Sequence, residues 1–299
     1  MPISGSLKVA TAAYPLDPLK TWSDYTDKIE AWVRDAEGQG ADLLVFPEYG
    51  AMELATLAGA DVAADGEACM RAVSDMMPEV DALHADLAGQ YGVTICAGSA
   101  PVYDEAISPR PVNRVRLFTP DGGMTVQDKQ IMTRYERDEM DVVPGGPLQV
   151  FDIGLAKIGI LTCYDAEFPL LGRAVTDAEI ILVPSCTEVL SGYWRVRIGA
   201  MARALEQQCV TVMASLVGTF EACPHADANT GMGGVFGPPD KGFPETGVLA
   251  EGRMNTAGWT VAEVNLQAIA DVRADGRVLG RTHWGEQEGR DEKAPVLKV

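Results

Sequence analysis

The sequence predicts an α/β fold in which two apolar sheets are covered by helices, and three observations carry that prediction. Strand-like and helix-like patterns alternate from one end of the chain to the other, which favours sheets faced by helices over either element alone. Several strand candidates, among them 42–49 and 157–162, are near-continuous apolar runs, as expected of strands buried on both faces. No linker, low-complexity run or internal repeat divides the 299 residues, so one domain is expected rather than two.

Residues 7–14 read as the first strand. In 22–39, Trp22, Tyr25, Ile29, Trp32 and Val33 recur at helical spacing, and Gly38 and Gly40 follow as stop signals. Residues 42–49 give the second strand. The stretch 67–90 is helical in pattern, with a kink expected near Pro78. Strand candidates then crowd together at 94–102, 115–119, 124–129, 150–153 and 157–162. Beyond Thr162 come a helix from Pro169 to residue 177, a strand at 180–184, a helix at 194–208 and a strand at 210–217. Residues 219–241, rich in Gly, Pro, Asp and Asn, read as a long surface loop with a short strand near Val235. A last strand, 259–264, leads into a short helix, 266–272, and the polar tail from Arg281 is expected to be extended.

Hydrophobic residues make up 47% of the chain and charged residues 22%, which suits a globular protein with a sizeable core. The formal charge of −19, from 43 acidic and 24 basic residues, repels phosphate backbones and anionic membranes. Neither nucleic acid nor a membrane surface is therefore an expected partner. Six cysteines (69, 96, 163, 186, 209 and 223) show no paired spacing, and the three histidines (84, 225 and 283) lie far apart. No zinc site, and no cofactor, is expected. The first residues lack the basic and apolar regions of a signal peptide, and no segment approaches the roughly 20 apolar residues that span a bilayer. A cytoplasmic protein with reduced thiols is the expectation.

The stretch most informative about chemistry is 158–173. An apolar strand stops at Cys163, followed by Tyr164, Asp165, Glu167 and Phe168, and Pro169 then suits the first turn of a helix. A thiol at such a strand-to-helix elbow sits beside backbone N–H groups able to bind a developing oxyanion. Most cysteines are inert core fillers, so the elbow alone does not decide the matter. Two further strand ends add to it. One apolar strand finishes in Pro47-Glu48-Tyr49-Gly50, and another delivers Lys129 ahead of Tyr135, Glu136 and Glu139.

Taken together, Glu48, Lys129 and Cys163 follow the chain order and local wording of the nitrilase superfamily of carbon–nitrogen hydrolases. The resemblance extends over nearly the whole chain. The stretch 91–99, ending in Gly98-Ser99, is similar to the family's strand before its middle region. Asn113 to Phe118 with Pro120-Asp121-Gly122 resembles the strand and turn that lead to its lysine. Val183-Pro184-Ser185 and the run Ala202-Arg203-Ala204 to Glu206-Gln207 resemble elements after its cysteine. The resemblance implies a four-layer α-β-β-α sandwich with the active site at one end of the sheets. It also implies a homodimer, or a higher homo-oligomer, in which helices near Cys163 pack across the two-fold.

A free thiol has a pKa of about 8.5 and needs help to attack an amide at neutral pH. None of the histidines stands in a motif that would supply it. Glu48 is expected to take the thiol proton, if partial burial raises its pKa. Lys129 supplies a fixed charge that, with the N–H of Tyr164, favours the thiolate and the oxyanion. The resemblance also implies a second glutamate after the lysine. Glu139, nearer Pro144-Gly145, is preferred for it, and Glu136 stays open as the alternative.

Asp165 is expected to order the elbow. Arg173 and Arg203 are expected in structural ion pairs, with Glu206 as a partner. Glu188 and Trp194 follow the strand end at Pro184-Ser185, where relatives contact substrate. The wording Cys163-Tyr164-Asp165 resembles amidase branches rather than true nitrilases, so a small amide is the expected substrate. A carbamoylase or nitrilase of the same fold, or a catalytically idle binding subunit, are the alternatives.

Overall fold

The computed structural model describes residues 5–290 and 292–298. In chain order its first half comprises β1 (Ser6–Pro15), α1 (Trp22–Gly38), β2 (Leu43–Val45), a 3₁₀ segment (Gly50–Ala58), α2 (Ala60–Ala64), α3 (Gly66–Tyr91), β3 (Thr94–Val102), β4 (Val112–Phe118), β5 (Met124–Asp128) and α4 (Arg134–Asp138). The second half comprises β6 (Val150–Asp152), β7 (Lys157–Ile160), a 3₁₀ turn (Cys163–Glu167), α5 (Pro169–Ala174), β8 (Ile180–Ser185), α6 (Leu190–Gln207) and β9 (Val210–Thr219). Four short strands and a helix complete the fold: β10 (Ala228–Asn229), β11 (Gly234–Phe236), β12 (Val248–Glu251), β13 (Gly258–Asn265) and α7 (Leu266–Asp275).

Period-two alternation along the strands decides the layers. In β1, Leu7 and Val9 enter one apolar cluster while Ala10, Ala12 and Tyr14 enter another. In β8, Ile180 and Leu182 share the cluster of Leu7, whereas Ile181 and Val183 face a third. The first outer cluster takes Ile29 and Val33 from α1 and Val73, Met77 and Val80 from α3. The other outer cluster takes Val196, Ala200 and Ala204 from α6. Three apolar interfaces between four layers make an α-β-β-α sandwich. Strands buried on both faces in this way read as continuous apolar runs in the sequence.

The strands run in the order β5-β4-β3-β2-β1-β9-β8-β7-β6, and β1 joins the two halves. Its Val9, Ala10 and Thr11 pair in parallel with β2, its Ala13, Tyr14 and Pro15 with β9, and β13 runs antiparallel along its other side. Parallel pairing of β2 with β3, and of β7 with β8 and β8 with β9, points their carboxyl ends to one edge. Clefts at that edge are where parallel sheets place their ligands.

One sequence expectation needs correction, and two elements lie outside the sequence reading. The tail from Arg281 is not simply extended: Thr282–Gln287 forms a 3₁₀ turn, held where the Arg173 guanidinium stacks 4.7 Å from the Trp284 ring centroid. Strand β12 and helix α4 fall in stretches with no periodic signal long enough to detect. Pro78 lies inside the helix expected at 67–90, which runs from Gly66 to Tyr91.

Candidate active site

Each principal side chain is delivered by a strand end and fixed there by backbone bonds. Past β2, the Phe46 N–H still donates to the Cys96 carbonyl at 2.9 Å, and then the chain turns sharply. Tyr49 adopts a left-handed conformation, φ 56°, with its N–H on Ser99 Oγ at 2.8 Å, so Glu48 projects from the sheet edge. The turn presses so close to β3 that a Cβ on Gly98 would lie 2.9 Å from the Gly50 Cα. Lys129 directly follows β5, its N–H on the Asn113 carbonyl at 2.9 Å. Cys163 leaves β7 with φ 49°, a strained conformation for a side-chain-bearing residue, at the start of the 3₁₀ turn. Asp165 anchors that elbow by accepting the Gln130 and Ile131 N–H groups at 3.0 and 2.8 Å, which ties it to the lysine segment.

These strand ends meet. Lys129 Nζ donates to Glu48 Oε1 at 2.7 Å and to Glu136 Oε2 at 2.6 Å, with all three side chains almost wholly buried. Asn113 Nδ2 spans the two carboxylates, 2.9 Å from Glu48 Oε1 and 3.3 Å from Glu136 Oε1. The Cys186 N–H donates to Glu48 Oε2 at 3.0 Å, and the Cys163 thiol points at the Cys186 carbonyl, 3.7 Å away. Glu48, Lys129, Glu136, Cys163 and Cys186 line a cavity of about 390 Å³ whose walls also include Tyr164, Thr187, Glu188, Arg195 and His225.

The two carboxylates have unequal surroundings. Glu136 also accepts the Thr133 N–H and hydroxyl, at 2.8 and 2.9 Å, and the Tyr49 hydroxyl at 2.9 Å. Burial would raise its pKa, but the charge of Lys129 and these hydrogen bonds outweigh burial and hold it below the usual range. Glu48 has fewer donors, and burial, helped by the charge of Glu136, raises its pKa in spite of Lys129. Burial alone would depress the Lys129 ammonium, yet the two carboxylates keep its pKa well above the ordinary value. Burial and then the charge of Glu48 push the Cys163 thiol well up, against the pull of Lys129. Burial also raises the Asp165 carboxyl to about 7. A pair of carboxyls driven apart in this way separates a proton carrier from a fixed anion.

The carboxylate beside Lys129 is thus Glu136, and the preference for Glu139 is corrected. Thr133 caps the short helix α4 in a capping box, which turns the third helical residue, Glu136, back toward the lysine. Glu139 lies past that helix and is exposed. Trp194 is also corrected. It lies outside the cavity lining, 45% exposed, with its ring against Tyr193 and Arg197. Arg203 pairs with Glu206 at 2.9 Å and donates to the Ala166 carbonyl at 3.0 Å, while Arg173 stacks on Trp284 and forms no ion pair among the described residues. Tyr49, Asn113 and Cys186 were not singled out as site residues. Tyr49 abuts Glu48 in the chain, and Asn113 lies at the second position of the strand paired with the lysine strand; the sequence offers no comparable signal for Cys186.

Among the described residues no cluster of three or more His, Cys, Asp or Glu could hold a metal ion, and no helix is long and apolar enough to cross a membrane.

Comparison with known proteins gives the family and the fold. The sequence profile of the carbon-nitrogen hydrolase family matches residues 8–274. A probable hydrolase, YhcX, of Bacillus subtilis is 31% identical over 274 residues, covering 91% of this chain and 52% of its own, so the chain spans about half of that relative's length. The omega-amidase NIT2 of Danio rerio is 23% identical over 282 residues, covering 89% of this chain and 91% of its own. The crystal structure of a carbon-nitrogen hydrolase from Helicobacter pylori superposes with a TM-score of 0.72 at 15% identity, over 96% of this chain and 95% of that one. At that identity the superposition speaks for the fold alone.

Proposed function

The chain belongs to the carbon-nitrogen hydrolase family, and from that premise we propose that it hydrolyses a small amide through a thioester on Cys163, releasing ammonia. The observation that carries the reading is the Lys129 ammonium held between a depressed and a raised carboxyl beside a thiol. Glu48 takes the proton of Cys163 as sulfur attacks the amide carbon. The oxyanion that develops meets the Lys129 charge and the Tyr164 N–H. Glu48, now protonated, gives its proton to the departing nitrogen, so ammonia leaves and the thioester remains. Glu48 then takes a proton from water as hydroxide adds to the thioester; the carbon–sulfur bond breaks, the carboxylic acid leaves, and Glu48 returns its proton to the Cys163 sulfur. Glu136 stays ionised throughout and, with Tyr49 and Asn113, keeps Lys129 in place.

A homodimer through α5 and α6 is part of this reading. Leu170 on α5 and Ile198 and Leu205 on α6 are exposed, and burying them against a second copy would favour association. Sedimentation at micromolar concentration should give twice the monomer mass.

The reaction is tested by ammonia release from short aliphatic amides, ω-amides and carbamoyl compounds. Amide turnover that disappears in Cys163→Ala, with the melting curve preserved, is expected. Turnover that survives the substitution overturns the mechanism.

A further inference from the structure

We propose that the substrate of this site carries a positive charge, as a protonated amine, at the end remote from the amide. The inference rests on the amidase reading above and adds to it the charge of the substrate's tail.

The cations that line the cavity are already engaged. Lys129 bridges Glu48 and Glu136 on the floor. Arg195 Nε reaches Glu167 Oε1 at 3.3 Å. His225 uses both ring nitrogens, Nε2 at 2.9 Å from the Gly66 carbonyl and Nδ1 at 3.1 Å from the Tyr135 hydroxyl. Arg195 is nevertheless exposed and held through Nε alone, so the charge balance of the wall decides: five carboxylates (Glu48, Glu136, Glu167, Glu188 and Asp227) face two full cations, Lys129 and Arg195, and a carboxylate tail would meet a surplus of like charge.

Two carboxylates of the lining are in the opposite situation. Glu188 and Asp227 are exposed at the mouth, and neither forms an ion pair among the described residues. They come from separate segments that are laced together. The Thr230 N–H donates to the Thr187 carbonyl at 2.7 Å, and Thr230 Oγ1 to the Glu188 carbonyl at 3.0 Å. Asp227 lines the cavity alongside Tyr135. The formal charge of −19 adds a field of the same sign at the entrance. Amide and tail are thus sorted by charge, with the reacting carbonyl over Lys129 and a cation at the rim.

The test compares three amides of equal chain length: an ω-amino amide, the unsubstituted alkyl amide and an ω-carboxy amide. Ammonia release gives kcat/KM for each at low salt. The expected order is cation, then neutral, then anion, and raising the salt should compress it because exposed charges are screened. Glu188→Gln and Asp227→Asn should each lower the ratio of cationic to neutral amide by roughly two- to fivefold, the scale of exposed charge pairs. The conservative variants Glu188→Asp and Asp227→Glu should retain most of that ratio. A neutral or anionic amide hydrolysed at least as well as the cationic one overturns the inference, as does a ratio unmoved in the Glu188→Gln/Asp227→Asn double variant. In both of those cases amide hydrolysis itself stands. If none of the three amides releases ammonia, the amidase reading falls and the inference falls with it.

Discussion

Replacing Glu136 by Gln probes how the two carboxylates share one ammonium. Both bond the same Nζ, at 2.7 and 2.6 Å. Two donors opening at the tetrahedral angle of an ammonium put the bound oxygens about 4.3 Å apart. At that separation and an effective dielectric constant of about 20, two negative charges repel by about 4 kcal/mol. That repulsion helps hold the proton on Glu48; relaxation of Asn113 and the neighbouring backbone takes up part of it, and a fall in the Glu48 pKa is expected in the variant. The sign follows from the charges. Removing Glu136's charge removes repulsion and leaves Lys129 wholly to Glu48, so Glu48 ionises more readily. The assay is kcat/KM against pH for a neutral amide, whose acid limb reports the free enzyme's base. That limb should move to lower pH in Glu136→Gln, while kcat falls because a less basic Glu48 is a poorer base. A limb that stays in place or moves to higher pH would refute the coupling.

Two further perturbations test how the site is held. Gly98→Ala places a Cβ 2.9 Å from the Gly50 Cα and should force the Glu48 turn outward, with a loss of about 1–3 kcal/mol in denaturant unfolding and a larger drop in kcat than in melting temperature; an alanine variant with native activity would show that the turn has slack. Asp165 has a folded pKa raised to about 7, so the folded state binds its proton more tightly than the unfolded chain. Its contribution to stability is therefore fully present below the unfolded pKa of about 4 and is lost as pH rises toward 7. Asp165→Asn should flatten that part of the melting temperature's pH dependence, and an unchanged slope between pH 4 and 7 would contradict the burial assigned to the carboxyl.

Much of the fold was legible because its strands are buried on both faces. A run such as Leu43-Leu44-Val45-Phe46 sends alternate side chains into two different apolar clusters, so every position selects for an apolar residue. Strand β12 escaped because its four residues are only half buried or exposed, and α4 because five residues are too few to show a period. In the site, Glu48, Lys129 and Cys163 could be picked out because each ends a strand, and strand direction sends those ends to one edge. The choice between Glu136 and Glu139 turned on where a single helical turn begins, which the Thr133 cap decides and distance from Pro144 does not. Asn113 and Tyr49 act through hydrogen bonds to carboxylates brought close only by folding. Trp194 was placed in the site by its nearness in the chain to the end of β8, but α6 turns its ring away from the cavity.

The most direct test of the account is a mass measurement on Glu48→Gln. An activated ester needs no protonation of its leaving group, so Cys163 should still be acylated, slowly. Breakdown of the thioester needs Glu48 to activate water, so the adduct should accumulate. Intact-protein and peptide mass spectrometry after acid quench should therefore find one acyl group on the Cys163 peptide of Glu48→Gln, little on the native enzyme at steady state and none there when Cys163 is also replaced by Ala. An acyl group on a different residue, or a Glu48→Gln protein that turns the ester over at the native rate without accumulating an adduct, would contradict it.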